Sequence, residues 1–235
     1  MAPEHFSYLF DAKRFYQRIS PLIGELEMGN YGQLRRLAYQ IVREDPRART
    51  LIDSFNLRSV YAYYEEPTGD YSEPEPGNCL VALLVPFVEP LPEGADWGEN
   101  LWMGHSLMRE ALSLVGWARD DIDLFMFGKS LCEMFNPSHI SELQQRRWAR
   151  GKIGDPWCAS EPGWLDTSTI ERLIHRLIDS KDDLVNLARK PERFTSWLVD
   201  QPFLEKGLSD GYGHMEKVLM SAKLESRELI VQIVS

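Results

Sequence analysis

Glu228–Val234 reads ELIVQIV. Apolar, largely β-branched side chains fall on both sides of this segment, which predicts a strand buried on two faces inside a sheet. Three earlier stretches predict strands as well: Phe6–Phe10 (FSYLF), the aromatic-rich Val60–Tyr64 (VYAYY), and Cys79–Val85 (CLVALLV), ended by Pro86. The last strand must pair with one of these early ones. Such pairing ties both ends of the chain into one globular domain spanning residues 1–235. Turn-rich 151–166, which holds Trp157 and Trp164, is the candidate subdomain boundary.

Between the strands the sequence reads as helix. Asp11 is placed to cap a helix running to about Ile19. Leu34, Leu37, Ala38, Ile41 and Val42 recur at helical spacing behind Asn30 and Gln33, which resemble a capping box, and Asp45-Pro46 opens another helix. Asn100 caps a helix with Met108, Ala111 and Leu112 inward, closed by Gly116. Asp120 caps the next, expected to run to Phe135 before Pro137, and Ser138 starts a third. Ser168-x-x-Glu171 is a capping box ahead of Ile170, Leu173, Ile174, Leu177 and Ile178, the cleanest apolar stripe in the chain. Short helices are expected near 181–190, 192–199 and 213–224. The expectation is therefore an α-rich α+β fold, with about nine helices packed around a small mixed sheet that includes the C-terminal strand.

Charge is distributed unevenly. The 235 residues carry a net charge of −10, yet Ser59–Met108 alone contributes −9, with nine acidic residues and no Lys or Arg. Within it, 65–78 and 89–99 read as exposed acidic loops rich in Pro and Gly. A concentrated acidic surface attracts basic partners and repels nucleic acid. Scattered Cys79, Cys132 and Cys158, with no secretory pattern at the N-terminus, are expected as reduced thiols of a cytoplasmic protein. No apolar run approaches the roughly twenty residues of a membrane span, so no membrane partner is expected.

Catalytic motifs fail on their mechanics. Gly104-His105-Ser106-Leu107-Met108 lacks the closing glycine and the preceding strand of a nucleophile elbow, and His105 shares a face with core residues. Gly128-Lys129-Ser130 lacks the earlier glycine of a phosphate-binding loop and reads as mid-helix. Gly211-Tyr212-Gly213 reads as a turn before a helix. The five histidines show no paired spacing, so no metal site or cofactor is expected. Asp120, Asp121 and Asp123 read as first-turn charges that cap a helix, and Asp179, Asp182 and Asp183, at a helix junction, as capping charges too.

The leading expectation is a non-enzymatic, protein-binding chain of the inhibitor or immunity type. In it Glu73, Glu75, Asp96 and Glu99 steer a basic partner, and Tyr71 and Trp97 supply buried contact area. One alternative is an enzyme whose dispersed site draws on His105, Glu110, Cys132 or His139. Another is self-association, with the acidic stretch meeting the basic run Arg146, Arg147, Arg150 and Lys152 of a neighbour.

Overall fold

The structure is a computed structural model and describes residues 4–27, 36, 37, 40, 41, 44, 84–91, 102–130, 163–194 and 201–234. In chain order its elements are β1 (Glu4–Phe10), α1 (Ala12–Glu27), β2 (Val88–Pro90), α2 (Trp102–Leu114), α3 (Arg119–Phe127), β3 (Lys129–Ser130), β4 (Gly163–Leu165), α4 (Thr167–Asp179), α5 (Lys181–Ala188), α6 (Gln201–Leu224) and β5 (Glu228–Val234). Short 3-10 turns occupy Val85–Phe87 and Pro191–Arg193.

The strands form one sheet in the order β2-β1-β5-β4-β3. The C-terminal strand is central. It pairs with β1 from Glu4 opposite Val234 to Phe10 opposite Glu228, and with β4 on its other side. Among the described residues every pairing is antiparallel, where a mixed sheet was expected.

Both faces of the sheet are covered. Leu229 and Val231 point with Leu9 into the main core, where they meet Leu107, Met108, Phe125, Leu173 and Leu219 from the helices. Ile230 and Phe10 face the other way and are fully buried. On that side the Phe15 ring of α1 lies 5.4 Å from that of Phe10, tilted, and 5.4 Å from that of Phe87, edge to face. Two-sided burial explains why ELIVQIV carries no polar alternation.

The architecture is helix-rich α+β. Among the described residues there are six named α-helices rather than about nine. The last helix, α6, is longer than expected. The sequence placed a turn at Gly211–Gly213, but one helix runs from Gln201 through to Leu224. A Cβ on Gly207 would lie 2.8 Å from Leu107 Cδ2, and one on Gly211 would lie 2.6 Å from Met108 Sδ. These glycines therefore serve close helix–helix approach, which offsets their poor helix propensity.

Other boundaries moved for stated reasons. The third helix ends at Phe127, not Phe135, because Gly128 takes φ +66° and starts a strand. Ala118, not Asp120, occupies the N-cap position there, without a capping side chain. In α4 the cap is Asp166, which accepts the Thr169 N–H at 2.7 Å, so Ser168 already lies inside the helix. Ile178 is 55% exposed and drops out of the core stripe. Leu84 is helical and Val85–Phe87 form a 3-10 turn that Pro86 favours, so the strand comes later, at Val88–Pro90. Residues 191–193 form a 3-10 turn where a helix was expected.

Several expectations stand. Asp11 Oδ1 accepts the Arg14 N–H at 3.0 Å as the α1 cap, although that helix continues well beyond Ile19. Gly116, at φ +88°, closes α2: its N–H reaches Ser113 O and the Trp117 N–H reaches Leu112 O, the paired bonds of a Schellman motif. Residues 36, 37, 40, 41 and 44 are helical, and Ile41 is buried. The expected strand at 60–64, residues 79–83, the helices from 45 and from 138, and 151–162 lie outside the described residues.

Candidate functional site

The residues expected to bind a partner, Tyr71, Glu73, Glu75, Asp96, Trp97 and Glu99, lie outside the described residues, as do Cys132, His139, Cys158 and Arg146–Lys152. His105 falls within α2, and Glu110 is half-buried on the same helix. Residues Gly104–Met108 are helical throughout, which removes the strand-to-helix turn a nucleophile elbow requires.

What the fold does show of the acidic stretch is its root. Within Ser59–Met108, Leu84–Leu91 supply a 3-10 turn and β2, an end strand of the sheet among the described residues, and 102–108 begin α2. Leu84, Phe87 and Val88 are buried. Glu89, exposed on β2, meets Arg227 Nη2 at 3.2 Å, and the same guanidinium reaches Asp11 at 3.4 Å. Asp11 N–H also donates to Phe87 O at 2.8 Å. Arg227 thus ties Glu89 of β2 to Asp11 at the start of α1.

A second polar cluster gathers four remote segments. Lys129 of β3, Trp164 of β4, Asp166 before α4, Glu228 of β5 and Tyr16 of α1 come together beside the sheet. Lys129 Nζ donates to Asp166 Oδ2 at 2.5 Å and sits 5.4 Å from the Trp164 ring centroid. The Trp164 indole N–H donates to Glu228 Oε2 at 2.6 Å. Close backbone crossing makes this convergence work. A Cβ on Gly128 would lie 2.5 Å from Trp164 N, and one on Gly163 would strike the Phe127 carbonyl.

The cluster splits its acids. Burial raises Glu228; the Trp164 hydrogen bond only partly opposes this, and the nearby Asp166 charge adds to it. Burial also acts upward on Asp166, but hydrogen bonds from Lys129, Thr169 and Ser168 more than reverse it and hold the carboxyl below its usual range. Burial, then the charges of Glu228 and Asp166, push the Tyr16 phenol up to about 12. Two neighbouring carboxyls with acidities moved in opposite directions are the arrangement acid–base chemistry uses.

Sequence reasoning missed this cluster. Lys129 was visible only in a discarded phosphate-loop fragment, and Trp164 only as an aromatic that packs down. The phosphate-loop reading stays excluded, since Lys129 is committed to Asp166. The paired aspartates of α3 are structural. Asp121, nearly buried, pairs with Arg176 and with Arg172 at 3.3 Å, and Asp123 pairs with Arg109 at 3.0 Å. They tie α3 to α4 and α2. Asp182 and Asp183 lie in the first turn of α5, as expected. Among the described residues no group of three or more His, Cys, Asp or Glu is placed to hold a metal ion, and no helix is long and apolar enough to cross a membrane. Comparison with protein families, with curated proteins and with solved structures finds no match for this chain.

Proposed function

We propose that the chain is a protein-binding protein of the cytoplasm that engages a basic partner through its acidic, aromatic-bearing stretch. One observation carries the reading: nine acids without a single Lys or Arg between Ser59 and Met108, in a stretch that includes β2, an edge strand among the described residues. Sheet edges are sites where other chains attach, and a one-signed charge beside such an edge speeds encounter with the opposite sign. Tyr71 and Trp97 are the contact residues in this proposal; Glu73, Glu75, Asp96 and Glu99 are the steering residues. Inhibition of a basic enzyme is the form of function it fits.

The test compares the native chain with a variant carrying Glu73→Gln, Glu75→Gln, Asp96→Asn and Glu99→Gln. Basic proteins recovered from lysate on the native chain at low salt are released at high salt and are not retained by the variant. Their association rate with the variant falls by about tenfold or more at low salt. An unchanged association rate removes the reading.

A second reading, a dispersed enzyme site, is favoured by the split acidities of Glu228 and Asp166. There Glu228 is the proton donor, with Tyr16 beside it, and Asp166 stays ionised. Under this reading Glu228→Gln and Tyr16→Phe abolish any turnover found in a substrate screen while the fold persists; full turnover in both variants dismisses it.

A further inference from the structure

A groove between α5 and α6 belongs to neither reading. Its volume is about 360 Å³, within the range of small-molecule sites. Leu184, Ala188 and Leu208 form a buried apolar floor, Tyr212 a wall, and Lys181 and Arg189 stand at the rim. Lys181 opens α5 and Arg189 caps its C-terminus, eight positions on, which places them about 12 Å apart along the helix axis. The groove is therefore apolar at the bottom, with a cation near each end of α5.

The two ends differ. Lys181 Nζ already lies 5.4 Å from the Tyr212 ring centroid and is followed by Asp182 and Asp183. Arg189 forms no ion pair among the described residues and is joined by exposed Lys190 and Arg193. Glu205 on the facing wall is drawn toward the preceding turn, where Gln201 Nε2 donates to its Oε1 at 2.8 Å.

We propose that this groove binds an elongated amphipathic anion, a medium-chain alkyl carboxylate, with its head on Arg189 and its chain along Leu184, Ala188 and Leu208 toward Tyr212. The guanidinium fork matches a carboxylate in two parallel hydrogen bonds. Apolar floor residues take the chain out of water. Glu205 is the groove's own opposing charge and sets a limit on affinity.

Calorimetric titration of the full chain with sodium decanoate, below its micelle concentration, tests this. Saturable one-to-one binding is expected. Arg189→Gln weakens it by about tenfold, the loss of one charge-assisted interaction. Glu205→Gln tightens it. Ser209→Trp, which places bulk on the exposed groove wall, abolishes it. Melting curves confirm that the three surface variants fold. Absent or non-saturable binding, equal binding of decanol or of decyltrimethylammonium, or indifference to Arg189→Gln and Ser209→Trp each overturns the proposal.

Discussion

Ser226 is the one described non-glycine residue with a positive φ, 51°. It occupies the C′ position after α6, where its N–H reaches Lys223 O and the Arg227 N–H reaches Ala222 O. Left-handed backbone is costly for residues with a Cβ. Ser226→Gly is expected to stabilise the fold by about 0.5–1 kcal/mol, read as a higher urea midpoint. The strained turn matters because the next residue, Arg227, holds Asp11 and Glu89. Asp166 and Glu228 make opposite pH predictions. Asp166 is lowered from 3.8, so its contribution is present above that value and fades as pH falls through the lowered folded one. Asp166→Asn keeps a capping side chain but loses the Lys129 ion pair, so its deficit against the native chain shrinks in acid. Glu228 is raised from 4.5, so its contribution is full below that value and fades as pH rises through the raised folded one. Glu228→Gln should therefore gain on the native chain as pH rises. Urea midpoints from about pH 3 to about pH 8 decide both cases; curves that stay parallel to the native one contradict them.

At the scale of elements, α6 shows how packing overrides propensity. Three glycines, Gly207, Gly211 and Gly213, sit inside it, and a sequence reader takes them for punctuation. Their purposes differ. A Cβ on Gly211 meets Met108, whereas one on Gly213 meets nothing within 4 Å. Gly213→Ala should stabilise by about 0.5–1 kcal/mol through helix propensity. Gly211→Ala should destabilise by about 1–3 kcal/mol through overpacking against α2. Opposite signs in thermal melts are the expected result; a gain in both would mean that α2 yields freely. The same contrast explains what could be read from sequence. Apolar stripes such as Ile170, Leu173, Ile174 and Leu177 located α4 correctly, because burial follows period. The reach of α6 and the end of α3 at Gly128 depended on close approach to distant segments, the Met108 side chain and the Gly163 backbone, that no local pattern encodes.

For the whole molecule, the decisive fact is that the strand at the end of the chain is the middle of the sheet. Its burial on both faces was legible from ELIVQIV. The polar cluster was not, since Tyr16, Lys129, Trp164 and Glu228 share no sequence neighbourhood and each alone has an ordinary structural explanation. Removing residues 228–235 should leave no folded remainder: α1 loses its sheet and the helical core loses Leu229 and Val231. Circular dichroism and protease resistance check this; a protected fragment would show that the helices stand without β5. Synthesis adds a consequence of its own. Asp11 and Arg227, which meet in the fold, are 216 positions apart. At ordinary translation rates roughly 10–40 s pass between the appearance of one and the other. Ribosome-stalled chains that stop short of residue 228 should leave β1 open to protease, and early protection would contradict that. Strand β1 must wait for β5, so the sheet of this protein cannot close until the residues up to Val234 have been made.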